Sequence, residues 1–126
     1  MLLGLMVTIL GLIVNVLWGC SGTTAERAAC SAVGVTLTAA SEVIVDAMAT
    51  DLVGAEDEAA KLAIEDEWAP VLACYETAAV AQNAWADALD RGEGYDWAAV
   101  GVVYCDARAC LASVVQMPDW PMGGCP

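Results

Sequence analysis

The chain has 126 residues, and 17 Asp and Glu against 4 Lys and Arg give it a net charge of -13 at pH 7. Such an acidic surface repels nucleic acid phosphates and anionic lipid headgroups, so the composition argues against a nucleic acid partner. The sequence lacks histidine, which excludes Ser-His-Asp and Cys-His catalysis and histidine-containing zinc sites within the chain.

The N-terminal segment MLLGLMVTILGLIVNVLWG, residues 1–19, carries no charged side chain. A helix that spans a bilayer needs ~20 apolar residues, and secretory signal peptides have a similar length. We therefore predict that residues 1–19 are a signal peptide or a membrane anchor, and that the acidic remainder of the chain is exported.

The sequence LWGC, at the end of this segment, resembles the lipobox of bacterial lipoproteins. Leu17, Gly19 and Cys20 match the motif, whereas Trp18 stands where the family usually has a small residue. The resemblance covers only this segment and implies that Cys20 is lipidated and becomes the mature N-terminus. Ser21 after it implies the outer membrane in a Gram-negative host. The alternatives are an uncleaved anchor helix, with Cys20 free or disulfide-bonded, and ordinary cleaved secretion.

The first predicted helix follows a polar hinge at residues 20–23. Thr23 and Glu26 have the spacing of a capping box, which places the helix start near Thr24. Gly54 is expected to end the helix. Apolar or small residues recur at three- and four-residue steps and predict one buried face: Ala29, Val33, Leu37, Ala40, Ile44 and Met48.

The second predicted helix begins in AEDEAAK and ends at Gly92. Pro70 lies inside it and is expected to kink the helix or split it in two. Its apolar stripe has the heptad spacing of an antiparallel bundle seam: Trp68, Leu72, Tyr75, Ala79, Gln82, Ala86 and Leu89.

The third predicted helix has Asp96 as its N-cap and ends before Pro118. Its stripe consists of Trp97, Val100, Tyr104, Ala107, Leu111 and Val114. The predicted fold class is therefore all-α. A signal or anchor helix precedes an antiparallel three-helix bundle over residues 24–116, with a kinked middle helix, and residues 117–126 form an irregular tail.

The cysteines are typical of a disulfide-stabilised exported protein. In an up-down-up arrangement with a rise of ~1.5 Å per residue, two pairs lie at matching heights. We predict the bridges Cys30–Cys105 and Cys74–Cys110, each contributing about 2–4 kcal/mol to stability.

Cys20 and Cys125 remain after this pairing. Lipidation of Cys20 leaves Cys125 unpaired within the chain, whereas without lipidation the two could form a bridge. The sequence has no C-x-x-C motif, so we expect neither a cysteine-bound metal nor any cofactor.

The carboxylates are densest in the EDE runs at residues 56–58 and 65–67. We interpret both runs as solvated acidic faces; the alternative is a carboxylate-based cell-wall hydrolase. Asp90, Glu93 and Asp96 lie in a glycine-rich turn but lack the ligand spacing of an EF-hand loop. We predict no metal site, no catalytic residue and no enzymatic activity.

Among the tryptophans, Trp68, Trp85 and Trp97 are predicted to be core residues. Trp120, between two prolines of the tail, is predicted to contact a partner or the membrane interface.

The resulting hypothesis is a membrane-tethered exported protein with a structural or partner-binding role at the cell envelope. It contacts the membrane through the N-terminal segment or a lipid, and a protein partner is expected. The alternative is a phage lysis or superinfection-exclusion accessory protein, which it resembles in class only.

Overall fold

The structure, a computed structural model, describes residues 25–126 of the chain. This part of the chain contains three α-helices and no β-strand: α1 (Ala25–Val53), α2 (Glu58–Asp90) and α3 (Trp97–Cys110). The all-α prediction is confirmed. The predicted anchor at residues 1–19, the hinge at 20–23, the Thr23 cap and the Cys20 lipidation site lie outside the described residues.

Helices α1 and α2 form a long antiparallel hairpin. At one end, Arg27 Nη2 donates a hydrogen bond of 2.6 Å to the Leu89 carbonyl, and at the other, Trp68 Nε1 donates one of 2.8 Å to Asp51. We call the first end, which contains the start of α1, the end of α2 and the start of α3, the basal end. The opposite end is the distal end.

The buried faces of α1 and α2 are the predicted stripes. All six stripe residues of α1 are buried, and so are those of α2 except Leu72, which is partly buried. Alanines supply much of this face, including Ala79 and Ala86, which are fully buried. Small side chains let the two helices approach closely, while Leu37, Ile44 and Tyr75 fill the remaining space.

Helix ends follow the capping chemistry of the sequence. Asp57 and Asp96 are the N-caps of α2 and α3 and accept hydrogen bonds from Ala60 N at 2.8 Å and Ala99 N at 3.2 Å. Gly92 follows α2 with a φ of 69°, a conformation that favours glycine. α2 continues through Pro70 as one helix, so the alternative in which it splits in two is wrong.

α3 ends at Cys110, whereas the sequence predicts that the helical bundle continues to residue 116. The backbone then tightens into turns, in which Val114 N and Val115 N both donate to the Leu111 carbonyl at 2.9 Å. We define residues 111–126 as the tail. The early end of α3 lets the tail fold back, so that it supplies Leu111, Met117 and Trp120 to the core.

The disulfides match one of the two predicted bridges. Cys74 of α2 is bonded to Cys110 of α3, as the helix heights predict. The predicted Cys30–Cys105 bridge is wrong, because Cys105 is bonded to Cys125. Cys30 is fully buried and disulfide-bonded, and it lies against α2, where Gln82 Nε2 is 3.4 Å from its carbonyl oxygen.

α1 is long and apolar enough to cross a bilayer, with a mean hydropathy of 1.6 over its most apolar 18-residue window. A helix in the core of a water-soluble domain has the same length and composition, and one face of α1 is packed against α2.

We expect the packed face of α1 to dominate the stability of the hairpin. Leu37 is fully buried, so Leu37→Ala should lower the free energy of unfolding by about 2–5 kcal/mol through lost burial and the cavity left behind. Val35, on the same helix, is 62% exposed, and Val35→Ala is the matched control. Chemical unfolding followed by circular dichroism measures both, and equal losses for the two variants would contradict the packing described.

Candidate functional site

The tail is the least regular part of the described chain, and it is held tightly against α3. The Cys105–Cys125 disulfide joins the middle of α3 to the penultimate residue, with the two Cα atoms 5.6 Å apart. Between these anchor points the tail crosses the α3 surface and returns. The surface formed by α3 and the tail carries two depressions and the exposed side chain of Trp97, and we treat it as the candidate functional site.

Trp120 fixes the tail by inserting its indole ring between α2 and α3. Its ring centre lies 5.8 Å from that of Trp85 and 5.4 Å from that of Tyr104. The ring occupies a notch over Gly101, where an added Cβ atom would lie 2.9 Å from the indole. Glycine at this position of α3 is therefore what admits the ring, and only 5% of Trp120 is exposed.

Asp119 organises the end of the tail. Its Oδ1 atom accepts hydrogen bonds from Trp120 N at 3.0 Å and Cys125 N at 2.6 Å, and Arg108 Nη1 lies 3.5 Å away. The backbone donors, followed by Arg108, lower the pKa of the Asp119 carboxyl, although the group itself is exposed to solvent.

The tail carbonyls are also paired with α3. Arg108 Nε donates to the Met117 carbonyl at 3.0 Å, and the Tyr104 hydroxyl donates to the Pro118 carbonyl at 2.6 Å. Burial raises the pKa of Tyr104, and the neighbouring Thr36 hydroxyl of α1 offsets part of that effect. Tyr104 is therefore a neutral hydrogen-bond donor near pH 7 that positions the tail.

Two open depressions flank the Cys105–Cys125 bridge. One, of about 280 Å³, lies between the start of α3 and the tail and includes Trp97, Val102, Trp120 and Met122 in its walls. The other, of about 580 Å³, lies between the end of α3 and the tail and includes Arg108 and Gln116. Asp106 is the one Asp or Glu side chain in the lining of each, so neither presents the facing pair of acidic side chains that glycoside hydrolysis requires.

The predicted roles of two tryptophans are reversed in the structure. Trp120, expected at a partner or membrane contact, is buried because Gly101 leaves a notch for its ring. Trp97, expected in the core, is 36% exposed because it is the first residue of α3 and lies beyond the packed turns. A glycine inside the predicted third helix, Gly101, was the one signal in the sequence that could have indicated a ring packed against α3.

The acidic runs that stand out in the sequence do not form a site in the described part of the chain. The EDE run at 56–58 is exposed, as are Asp66 and Glu67. Within residues 25–126, no group of three or more Cys, Asp and Glu side chains is arranged to hold a metal ion. Burial raises the pKa of Tyr75 on α2, with Ser41 of α1 offsetting part of the effect, so this hydroxyl also stays neutral at pH 7.

We expect a methyl group at position 101 to displace the tail. Gly101→Ala places a Cβ against the buried Trp120 ring, and overpacking of this kind costs about 1–3 kcal/mol. Gly94→Ala is the control, because no atom lies within 4 Å of its added Cβ. Chemical unfolding and tryptophan fluorescence report the loss; a Gly101→Ala protein as stable as wild type would contradict the notch.

The lowered pKa of Asp119 predicts an acid-sensitive tail. Its ionised form stabilises the folded state above the ordinary carboxyl pKa of about 3.9, and this contribution is lost as the pH falls through the lowered folded value. NMR titration should show the Trp120 and Cys125 amide signals moving together below that ordinary pKa. Asp119→Asn should abolish the movement, and titration of Asp119 at or above its ordinary pKa would contradict the contacts.

The chain matches no protein-family model, no curated protein and no solved structure.

Proposed function

We propose that the chain is an exported, membrane-tethered helical protein with a structural or partner-binding role at the cell envelope. The observation that carries this proposal is the pair of disulfides, Cys74–Cys110 and Cys105–Cys125, in a chain that begins with 19 uncharged residues. Disulfides persist in oxidising compartments outside the cytosol. An uncharged segment of this length supplies both the export signal and the means of attachment.

The proposed tether is either an uncleaved anchor helix or a lipid on Cys20, and the pairing of the cysteines bears on which of the two it is. Cys30 is disulfide-bonded, and the four cysteines after it pair among themselves. Cys20 is the remaining one of the six cysteines in the sequence. A lipid thioether on Cys20 and a Cys20–Cys30 bridge use the same sulfur and exclude each other. A Cys20–Cys30 bridge is compatible both with an uncleaved anchor at residues 1–19 and with cleavage before Cys20, whereas the lipobox resemblance favours the lipid.

A binding or structural role agrees with the character of the α3–tail surface. The bridge, the Trp120 insertion and the Asp119 contacts hold its backbone in one conformation, so a partner meets a preorganised surface. The exposed part of this surface combines apolar side chains such as Val102 with the carboxylate of Asp106. That combination suits a protein partner with basic and apolar side chains.

Membrane flotation and intact mass test the tether together. The chain expressed with its full sequence should float with membranes, and a variant without residues 1–19 should remain soluble and helical. The anchor form should keep the mass of the whole chain less the hydrogens lost in disulfides. The lipid form should lose residues 1–19, gain acyl groups and be abolished by Cys20→Ser.

Recovery of the full chain as a soluble protein with reduced thiols would refute both the tether and export. The matched control is Cys125→Ser, which removes a thiol from the domain but leaves residues 1–19 and Cys20 intact. It should still float.

A further inference from the structure

We propose that the basal end of the domain rests on the bilayer to which the chain is tethered, with Tyr95 and Trp97 seated in the lipid–water interface. This proposal rests on the proposed function, because it requires the N-terminal segment to be attached to a membrane. The partner is the lipid surface itself, contacted by the loop between α2 and α3 and by the first turn of α3.

The position of the basal end follows from contacts between helices. The first turn of α1 is fixed to the last turns of α2 by the Arg27–Leu89 hydrogen bond and by Trp85 Nε1, which donates to Glu26 at 2.9 Å. The loop then turns at once into α3, with Trp97 N donating to the Tyr95 carbonyl at 2.9 Å. The start of α1 and the two aromatic residues therefore lie at the same end of the domain.

The length of chain before α1 limits the distance from this end to the membrane. The uncharged segment ends at residue 19 and α1 begins at Ala25. The five residues between them, 20–24, reach at most about 18 Å when fully extended. The basal end is consequently the part of the domain closest to the bilayer in either form of the tether, since the lipid form is attached at Cys20.

The side chains exposed at this end are those that favour the interface. Tyr95 is 38% and Trp97 36% exposed, and such amphipathic rings are enriched at the headgroup level of membranes. Trp97 is the first residue of α3, so its side chain lies at the basal end, where it also forms part of the wall of the smaller depression.

The charge distribution supports the same orientation. Residues 42–67, which form the distal end, contain nine of the 17 acidic residues and one cation, Lys61. The basal end, residues 25–30 and 87–97, contains five acidic residues and two arginines, and the arginines lie beside carboxylates in the pairs Arg27–Asp90 and Arg91–Glu93. A membrane surface with anionic lipids therefore repels the distal end more strongly than the basal end.

NMR of the full chain in phosphatidylcholine nanodiscs tests the contact. A spin label at the headgroup end of the acyl chain should broaden the Trp97 indole signal to loss and leave that of Trp68, at the distal end, intact. A water-soluble gadolinium chelate should leave the Trp97 indole signal intact. Trp97→Phe assigns the signal. Tyr95→Ser should weaken the protection of Trp97, whereas Val80→Ser, at a 55% exposed position of α2, should leave it unchanged.

The outcomes separate this inference from the proposed function. A chain that does not associate with nanodiscs or float with vesicles refutes the tether itself. A chain that associates, but whose Trp97 signal is lost to the aqueous chelate and unaffected by the lipid label, overturns only the basal contact. Protection of Trp97 from both probes that depends on the protein-to-lipid ratio indicates a second copy of the chain, and it also overturns the proposal.

Discussion

The insertion of Trp120 over Gly101 is the contact on which the α3 half of the domain depends. α2 packs against α1 along one side and against α3 along another, and α3 has only 14 residues. Such a short helix buries little apolar area on its own. The indole of Trp120, placed between Trp85 and Tyr104, adds a large aromatic surface to this part of the core, so α3 and the tail are stabilised together.

A non-helical tail can remain in this position only if its backbone groups have partners. The carbonyls of Met117 and Pro118 accept hydrogen bonds from side chains of α3, and Asp119 accepts from two backbone amides of the tail. The Cys105–Cys125 bridge then closes a loop of limited length and reduces the conformational freedom of the unfolded chain. Apolar burial, hydrogen bonding and the bridge therefore act on the same 16 residues of the tail, 111–126.

The periodicity of apolar residues predicted the helices and most of the core. A helix that packs one face against a neighbour has apolar residues at regular three- and four-residue steps. The α1 stripe from Ala29 to Met48 is buried without exception. The irregular backbone of residues 117–126 was predicted correctly, but the burial of Trp120 and the partner of Cys125 were not. Both depend on contacts distant in sequence, which periodicity does not register. Height matching paired Cys74 with Cys110 but misassigned Cys30. Height along a helix does not give the direction in which a side chain faces, and the Cys30 sulfur lies 3.5 Å from Gln82 Nε2 of α2.

The distribution of disulfides follows from how the core is built. The α1–α2 hairpin has long helices and a continuous buried face, so its association is driven by burial, even though many of the side chains are alanines. α3 lacks that length, and both described bridges end on it, one from α2 and one from the tail. These two bridges thus reinforce the shortest helix and the non-helical tail, as expected for a small domain with a modest core. This division explains why an alanine-rich sequence can hold an irregular tail in one conformation and present it as a surface.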